Sequence, residues 1–266
     1  LAVLSRETDD RGEILSFKRS LENEDGARVR LIEHEPLPMS SAEIRALLPK
    51  AGGAELLDDG VYSLIIRNHW YASKPELRWL REKVRPYLTE KRARHVAGCE
   101  EQAVKLAKRW GADVYEAAEA GILHDITKKL SDEEQLIMCG KYGIILDAAE
   151  RRNPRILHAR TGAALARELF GIPDGIYSAI RWHTTGKPDM SLMEKIIYLA
   201  DFTEPTRDFE GVEPLRKLCF EDIDRAMELG LRMSLEEIRS RGEDAYRDTV
   251  DAYLWYKKEQ GGSATC

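Results

Sequence analysis

From residue 75 to residue 260 the chain shows one nearly continuous helical pattern, and this pattern restricts the fold more than any other feature. Apolar residues recur at spacings of three and four, and the breaks between the periodic stretches are short. The sequence therefore predicts an all-α bundle over residues 75–260. The predicted helices are 76–88, 89–110, 113–127, 131–142, 154–170, 174–183, 192–202, 221–241 and 244–260.

The first 74 residues follow a different rhythm. Residues 1–5 predict a short buried strand, residues 12–24 a helix and residues 27–33 an alternating strand. A strand–helix–strand order indicates a parallel pair, so we expect a small α/β segment with a domain boundary near residue 74. The chain enters this pattern directly at Leu1, which favours a truncated domain. Residues 261–266 are expected to be a frayed tail.

Composition limits the classes of function. Charged residues make up 33% and hydrophobic residues 43% of the 266 residues, which is typical of a soluble globular protein. The formal net charge of -6 argues against broad binding of nucleic acid or anionic membrane. The four cysteines are scattered and fit a reducing, cytoplasmic setting. We expect a cytoplasmic protein without a nucleic-acid or membrane partner, and a homodimer remains possible.

The stretch PLPMSSAEIRALL predicts a helix beginning near Ala42, and it allows two interpretations. The order Ser-Ser-x-Glu is close to a capping box, in which Ser40 or Ser41 has a purely structural role. Alternatively, the free N–H groups of a helix start, the two hydroxyls and Arg45 one turn later would suit a phosphate group. Both interpretations remain open from the residues alone.

His124 and Asp125 are adjacent at the end of an apolar helical pattern. A buried carboxylate is costly without a partner, and a metal ion would be such a partner. A helix-capping Asp beside a surface His is the structural alternative. Further residues of the same two types lie on or at the ends of predicted helices: His95, His158, His183 and Asp201. Each alone could be structural, but together they are enough to bind two metal ions in a bundle core.

These residues resemble, in order, the pattern of HD-domain metal-dependent phosphohydrolases. The strings LHDITK, RWHTTG and LADFTEPTR are similar to those of one branch, the YqeK-type hydrolases. Members of that branch split diadenosine tetraphosphate symmetrically into two ADP and carry a di-iron centre. The similarity covers roughly residues 75–260. It implies an all-helical HD-domain bundle with a dinucleoside polyphosphate as substrate.

The resemblance also implies roles for individual residues. Two divalent cations, iron by resemblance, would lower the pKa of water, although His and Asp suit manganese, zinc and nickel equally. One ion would be bound by His95, His124, Asp125 and Asp201, and the other by Asp125, His158 and His183. Lys128 and Arg207 would stabilise charge on the polyphosphate and the departing nucleotide. The turn Thr184, Thr185 and Gly186 would meet phosphate or ribose, with an ordinary helix stop as the alternative.

A second resemblance concerns the first segment, which is similar to the carboxy-terminal third of bacterial nicotinate mononucleotide adenylyltransferases. It implies a partial Rossmann-like nucleotidyltransferase segment, in which Ser40, Ser41 and Arg45 bind the ATP triphosphate. The His-x-Gly-His motif of that family does not occur in the chain. The resemblance of the first segment gives one alternative to the hydrolase, a bifunctional enzyme that also acts in NAD biosynthesis. A non-catalytic nucleotide sensor is the other alternative. His34 and His69 have no ligand-type neighbours and are predicted to be structural or surface residues.

Overall fold

The computed structural model describes residues 1–4, 11–32 and 39–262, and the fold is mainly α, which confirms the predicted fold class. Ser5, Glu33, His34 and residues 263–266, for which predictions were made, lie outside the described residues. The strands are β1 (Ala2–Leu4) and β2 (Arg30–Ile32). The helices are α1 (Arg11–Glu24), α2 (Ser41–Leu47), α3 (Asp59–Arg67), α4 (Leu77–Val84), α5 (Glu90–Trp110), α6 (Val114–Leu123), α7 (Asp132–Lys141), α8 (Ala148–Arg152), α9 (Leu157–Phe170), α10 (Asp174–Trp182), α11 (Leu192–Thr203), α12 (Val212–Glu221), α13 (Ile223–Ser240) and α14 (Arg247–Gly262).

The first segment contains the predicted β-α-β unit. β1 and β2 pair in parallel, with Val3 opposite Leu31. Helix α1 connects the two strands and has no buried side chain. The unit is therefore a small, open piece of α/β structure.

The later part of the first segment, from Leu48 onward, shares one hydrophobic core with the bundle. Leu48, Tyr62 and Ile66 are fully buried, and they belong to the same hydrophobic cluster as the bundle helices. The Tyr62 ring meets the Trp79 ring of α4 edge-on, with centroids 5.0 Å apart. The domain boundary near residue 74 stays a prediction, while the hydrophobic core extends across it.

The centre of the bundle is formed by α5, α6, α9, α10 and α11. Helix α5 packs against α6 and α11, and α10 packs against α9 and α11. Fully buried aliphatic side chains, including Leu106, Ile122 and Ile197, fill the space between these helices. The ends of α6, α10 and α11 thereby face the interior of α5. Within residues 1–4, 11–32 and 39–262, no helix combines the length and apolarity needed to cross a membrane.

Several predicted helix boundaries require correction. Helix α4 ends at Val84, before a 3-10 turn at Arg85–Tyr87, rather than at residue 88, and α14 begins at Arg247 rather than at residue 244. Helix α6 ends at Leu123 rather than at residue 127, because the chain continues from His124 as successive turns. Helix α9 begins after a 3-10 turn at Pro154–Ile156. Helix α13 begins at Ile223 rather than at residue 221, because Asp222 caps it and accepts hydrogen bonds from its first N–H groups. Helices α8 and α12 were not predicted; Pro214, in the first turn of α12, obscures its helical pattern.

Candidate metal centre

Four imidazoles and two carboxylates meet where the bundle helices converge. His95 lies inside α5, His158 in the first turn of α9 and Asp201 near the end of α11. His124 and His183 are the residues that directly follow α6 and α10, so the ends of these two helices fix their positions. All but Asp201, which is partly exposed, are buried; the six residues are His95, His124, Asp125, His158, His183 and Asp201.

Asp125 lies between two pairs of histidines. Its Oδ2 is 3.4 Å from Nε2 of His124, and its Oδ1 is 3.3 Å from Nε2 of His158. The His95 and His124 Nε2 atoms are 3.2 Å apart, and so are those of His158 and His183. One carboxylate thus faces both imidazole pairs, which is the arrangement of a bridging ligand.

The backbone fixes which nitrogen of three imidazoles faces the centre. Nδ1 of His124, His158 and His183 lies 2.8, 2.7 and 2.7 Å from the carbonyl oxygen three residues earlier in the chain. A carbonyl can only accept, so Nδ1 carries the proton and donates it. Nε2 is therefore the nitrogen that each ring presents to the centre. This is the usual support of a metal-binding imidazole.

The donor atoms fit divalent cations. Two nitrogens bound to one ion at about 2.0–2.1 Å lie about 2.8–3.4 Å apart for octahedral to tetrahedral angles. The 3.2 Å separation of the His158 and His183 Nε2 atoms falls in this range. Three groups have ligand atoms that all lie within 4.8 Å of one another: His95, His124 and Asp125; His124, His183 and Asp201; Asp125, His158 and His183.

The ionisation states favour metal binding by most of the ligands. Burial lowers the pKa of His183 to about 4 and the pKa of His158 well below its ordinary value, aided by nearby positive charge. These two rings are neutral at neutral pH, so their unprotonated Nε2 atoms face each other unless a cation lies between them. Burial would raise the pKa of Asp125 and Asp201, but hydrogen bonds and the positive charge of neighbouring groups hold both well below the ordinary range.

His124 differs from these two rings. Burial opposes its charge, but Cys99 and Asp125 raise its pKa well above the ordinary value. The second proton of a charged His124 would lie on Nε2, where it faces Nε2 of His95 and Oδ2 of Asp125. Cation binding would release this proton, because a ligating imidazole must be neutral.

A cavity of about 540 Å³ opens onto the centre. This volume lies within the range of about 300–1,000 Å³ that is typical of small-molecule sites. His183 and Asp201 line the cavity where it meets the centre. Aromatic side chains cover another part, where the Phe202 and Phe209 rings meet edge-on with centroids 5.4 Å apart. The cavity therefore offers ligand-type groups and an apolar aromatic wall to the same molecule.

Both predicted cationic residues line this cavity. Lys128 places Nζ 3.2 Å from Nε2 of His158, and burial lowers its pKa. Arg207 donates from Nη2 to Oδ1 of Asp201 at 2.6 Å, and burial would lower its pKa but this carboxylate raises it. The structure thus brings both residues to the centre, although their roles stay predictions.

The predicted Thr184–Thr185–Gly186 turn divides into two parts. Thr184 lines the cavity, and its Oγ1 is 3.2 Å from Nε2 of His183. Thr185 is buried and its hydroxyl donates to the carbonyl oxygen of Gly186. Gly186 has φ +66° and lies against Leu231 of α13. Neither Thr185 nor Gly186 lines the cavity, so only Thr184 is placed to meet a bound molecule.

Two residues at the centre were given no role from the sequence. Arg92 donates from Nη1 to Oδ2 of Asp125 at 2.7 Å. It lies three residues before His95 on α5, a spacing that places both on one helix face, and this signal could have identified it. Glu204 accepts a hydrogen bond from Nδ1 of His95 at 3.0 Å and has a fully buried side chain. It lies in the string LADFTEPTR, but the pattern did not show which residue it contacts.

The proposed phosphate residues of the first segment are not part of this centre. Ser40 forms the capping box with Glu43: Ser40 Oγ accepts from the Glu43 N–H at 3.2 Å, and Glu43 accepts from the Ser40 N–H at 2.6 Å. Ser41 is the exposed first residue of α2, and the Arg45 guanidinium lies 5.8 Å from the centroid of the Tyr71 ring. None of these residues lines the cavity.

Comparisons with known proteins agree with the fold and the centre. The HD domain family model matches residues 92–206, the stretch that carries all six candidate ligands. The fold and site are therefore those of an HD-domain protein. The chain is 38% identical over 176 residues to the symmetrical bis(5'-nucleosyl)-tetraphosphatase of Bacillus subtilis, covering 65% of this chain and 92% of that one. The chain belongs to the HD-domain family that includes these tetraphosphatases.

Two further similarities extend this result. An HD superfamily hydrolase of solved structure from Clostridium acetobutylicum is 35% identical, with a TM-score of 0.66 that covers 68% of this chain and 96% of that one. A probable nicotinate-nucleotide adenylyltransferase/Ap4A hydrolase of Mycoplasma genitalium is 26% identical over 223 residues, 81% of this chain and 59% of that one. This match is longer than the stretch 75–266, so it includes part of the first segment.

Proposed function

We propose that the chain is a metal-dependent hydrolase that cleaves diadenosine tetraphosphate symmetrically into two ADP. The observation that carries this proposal is the convergence of six candidate ligands at the end of a cavity that also contains Lys128 and Arg207. The name of the Bacillus subtilis relative supports the choice of substrate and of symmetrical cleavage. The free buried cysteines Cys99, Cys139 and Cys219 support a reducing, cytoplasmic setting.

The ligands divide into two sets. His95, His124, Asp125 and Asp201 would hold one divalent ion, and Asp125, His158 and His183 would hold the other. Two divalent ions in these positions would lower the pKa of water and withdraw charge from the phosphoryl oxygens. We propose iron as the metal, and manganese, zinc and nickel are alternatives with the same ligand types.

The protein's own side chains would bind and orient the polyphosphate. The Lys128 ammonium, half-buried beside the ligands, would neutralise charge on the phosphoryl group under attack. Arg207, held against Asp201, would contact the phosphates of the departing ADP. Phe202 and Phe209 would pack against an adenine ring, because aromatic walls favour stacked or edge-on rings.

The experiment compares iron-loaded protein with chelator-treated protein, each incubated with diadenosine tetraphosphate. We expect ADP release from the loaded protein and none from the treated protein, with recovery when iron is returned. Equal turnover in both samples would contradict metal dependence. Binding of the substrate without turnover would favour a nucleotide sensor.

A second candidate function concerns the first segment. The match to the Mycoplasma genitalium protein extends into this segment, which supports a bifunctional protein that also takes part in NAD biosynthesis. The test is formation of nicotinate adenine dinucleotide from ATP and nicotinate mononucleotide. Residues 1–266 contain no His-x-Gly-His motif, so we expect no product from them. Product formation that is lost in Arg45→Ala would instead assign the activity to these residues.

A further inference from the structure

His95 is supported differently from the other three histidines of the centre. His124, His158 and His183 lie at helix ends, where the carbonyl three residues earlier accepts from Nδ1. His95 lies inside α5, where the backbone carbonyls are used by the helix itself. Its Nδ1 donates instead to Oε1 of Glu204 at 3.0 Å. One imidazole is therefore backed by a carboxylate and three by neutral carbonyls.

The Glu204 carboxylate is held firmly in place. It accepts from the N–H and the hydroxyl of Thr206, at 2.6 and 2.5 Å. The Arg216 guanidinium of α12 donates to the carbonyl oxygens of Thr203, Glu204 and Arg207 at 2.9, 2.9 and 2.6 Å. These bonds fix the turn that follows α11, so the position of the carboxylate is determined by the connection between α11 and α12.

Helix α5 has a gap that admits this carboxylate. A Cβ on Gly98 would lie 2.4 Å from Oε2 of Glu204 and 3.3 Å from Cδ of Pro205. Gly98 lies three residues after His95 and therefore on the same face of α5. A glycine inside a helix makes the helix less stable than an alanine would. At position 98 it allows the Glu204 carboxylate to approach the backbone of α5 closely. The gap is a second observation, independent of the hydrogen bond, that links Glu204 to His95.

The two halves of the centre are therefore electrostatically unequal. On the His95 side, the guanidiniums of Arg92 and Arg207 donate to the ligands Asp125 and Asp201. The Glu204 carboxylate adds negative charge behind His95 and so offsets part of this positive charge. On the other side, His158 and His183 are backed by neutral carbonyls, and the Lys128 ammonium lies 3.2 Å from Nε2 of His158. A positive charge so close to a ligand atom opposes the binding of a cation.

We propose that Glu204 is a positioning residue that makes the His95 side the tighter of two unequal cation positions. This inference rests on the two-ion part of the proposed function and requires no particular substrate. His95, His124, Asp125 and Asp201 would hold an ion more tightly, and an ion at His158 and His183 would exchange more readily.

The test is a titration of metal-free protein with Co²⁺, in which equilibrium dialysis counts the bound ions and the visible spectrum follows each class. We expect two affinity classes in the wild type. Glu204→Ala weakens the tighter class by about 10- to 100-fold and leaves the weaker class unchanged. Glu204→Gln has an intermediate effect, because its amide oxygen still accepts from Nδ1 of His95 without the negative charge.

Matched variants separate this role from a structural one. Gly98→Ala should weaken the same class as Glu204→Ala, because the added Cβ displaces the carboxylate. Gly140→Ala, inside α7 with no atom within 4 Å of the added Cβ, and Glu119→Gln, a buried carboxyl elsewhere in the bundle, should leave both affinities unchanged.

Each outcome has a defined meaning. Wild-type affinities in Glu204→Ala, or an equal loss in both classes, would overturn the inference. If Gly98→Ala fails to fold, the comparison of Glu204→Gln with Glu119→Gln decides. A wild type that binds no ion would contradict the proposed function itself, whereas two ions without turnover would leave this inference intact.

Discussion

Lys128 points its ammonium group at His158, with Nζ 3.2 Å from the Nε2 atom that faces the metal centre. The same Nζ is 3.3 Å from Nδ1, which is protonated because it donates to a backbone carbonyl, so the ammonium lies against the face of the ring. A cation at Nε2 would repel the ammonium. Lys128 would then turn toward the cavity that it lines. The contact thus links the occupation of the centre to the placement of a charge for the substrate.

Replacement of Lys128 tests this role. We expect Lys128→Ala to lower kcat by about 10²- to 10³-fold, the usual effect of removing one group that stabilises developing charge, while the bound metal content stays unchanged. Lys129→Ala is the matched control, because Lys129 is the exposed neighbour. Steady-state kinetics and metal analysis of both variants provide the measurement. Equal losses in the two variants would contradict a specific role.

Replacement of Asp125 tests the bridging arrangement. Its two oxygens face both histidine pairs, so Asp125→Ala should remove a ligand from both positions. We expect a loss of bound metal together with a loss of activity, measured by elemental analysis and ADP release on one preparation. Asp201→Ala should weaken only the His95 side. An active Asp125→Ala protein without bound metal would exclude the two-metal mechanism.

Glu119 should make stability depend on pH. It is buried in α6, and burial, with the negative charge of Glu116 second, raises its pKa from 4.5 to about 7. The folded state therefore binds more protons than the unfolded state between these values, so this contribution to stability is present below pH 4.5 and lost as the pH rises through 7.

The matching variant is Glu119→Gln, which cannot ionise. We expect it to have nearly the wild-type free energy of unfolding at pH 5 and to be more stable at pH 8, by at most about 3 kcal/mol for a shift of this size. Urea denaturation at the two pH values measures the difference. The same difference at both values would show that the carboxyl is not the group responsible.

Gly171 should be essential for packing the first segment on the bundle. It has φ +64°, and a Cβ there would lie 2.3 Å from the carbonyl oxygen of Arg67, the last residue of α3. Gly111 also has positive φ, +74°, but among the described residues, apart from its chain neighbours, no atom lies within 4 Å of an added Cβ. Gly111→Ala should cost about 1–2 kcal/mol of left-handed strain alone.

Gly171→Ala should destabilise by about 1–3 kcal/mol more than Gly111→Ala, because backbone atoms must move to admit the methyl group. Urea denaturation of both variants measures the difference in free energy of unfolding. Equal losses in the two variants would mean that the contact between α3 and the start of the 171–173 connection is unimportant for stability.

The sequence predicted most of the bundle helices and the burial of five of the six candidate ligands, because each His or Asp is embedded in an apolar periodic pattern. It was insufficient where a contact joins distant parts of the chain. Glu204 and His95 are 109 residues apart, and nothing in either local pattern indicates that they are hydrogen-bonded. The reason for Gly98 likewise becomes visible only when the turn after α11 is in place.

Local signals also failed where tertiary contacts decide. Thr185 and Gly186 lie in the same turn as Thr184 but do not line the cavity, and Gly186 lies against Leu231 and Ala252 of the last two helices. The start of the predicted helix 221–241 was placed two residues too early, because the capping role of Asp222 is visible only in its hydrogen bonds to the first N–H groups of α13. These errors concern which side chains face the cavity and where a helix begins, and both depend on packing between helices.

The measurement that tests the proposed function most directly is the identity of the first products formed from diadenosine tetraphosphate by the metal-loaded protein. Ion-exchange chromatography of early time points, with a chelator-treated control, separates AMP, ADP and ATP. We expect ADP as the only product, formed at two molecules for each molecule of substrate consumed. Equal amounts of AMP and ATP would show asymmetrical cleavage and would contradict the proposed reaction.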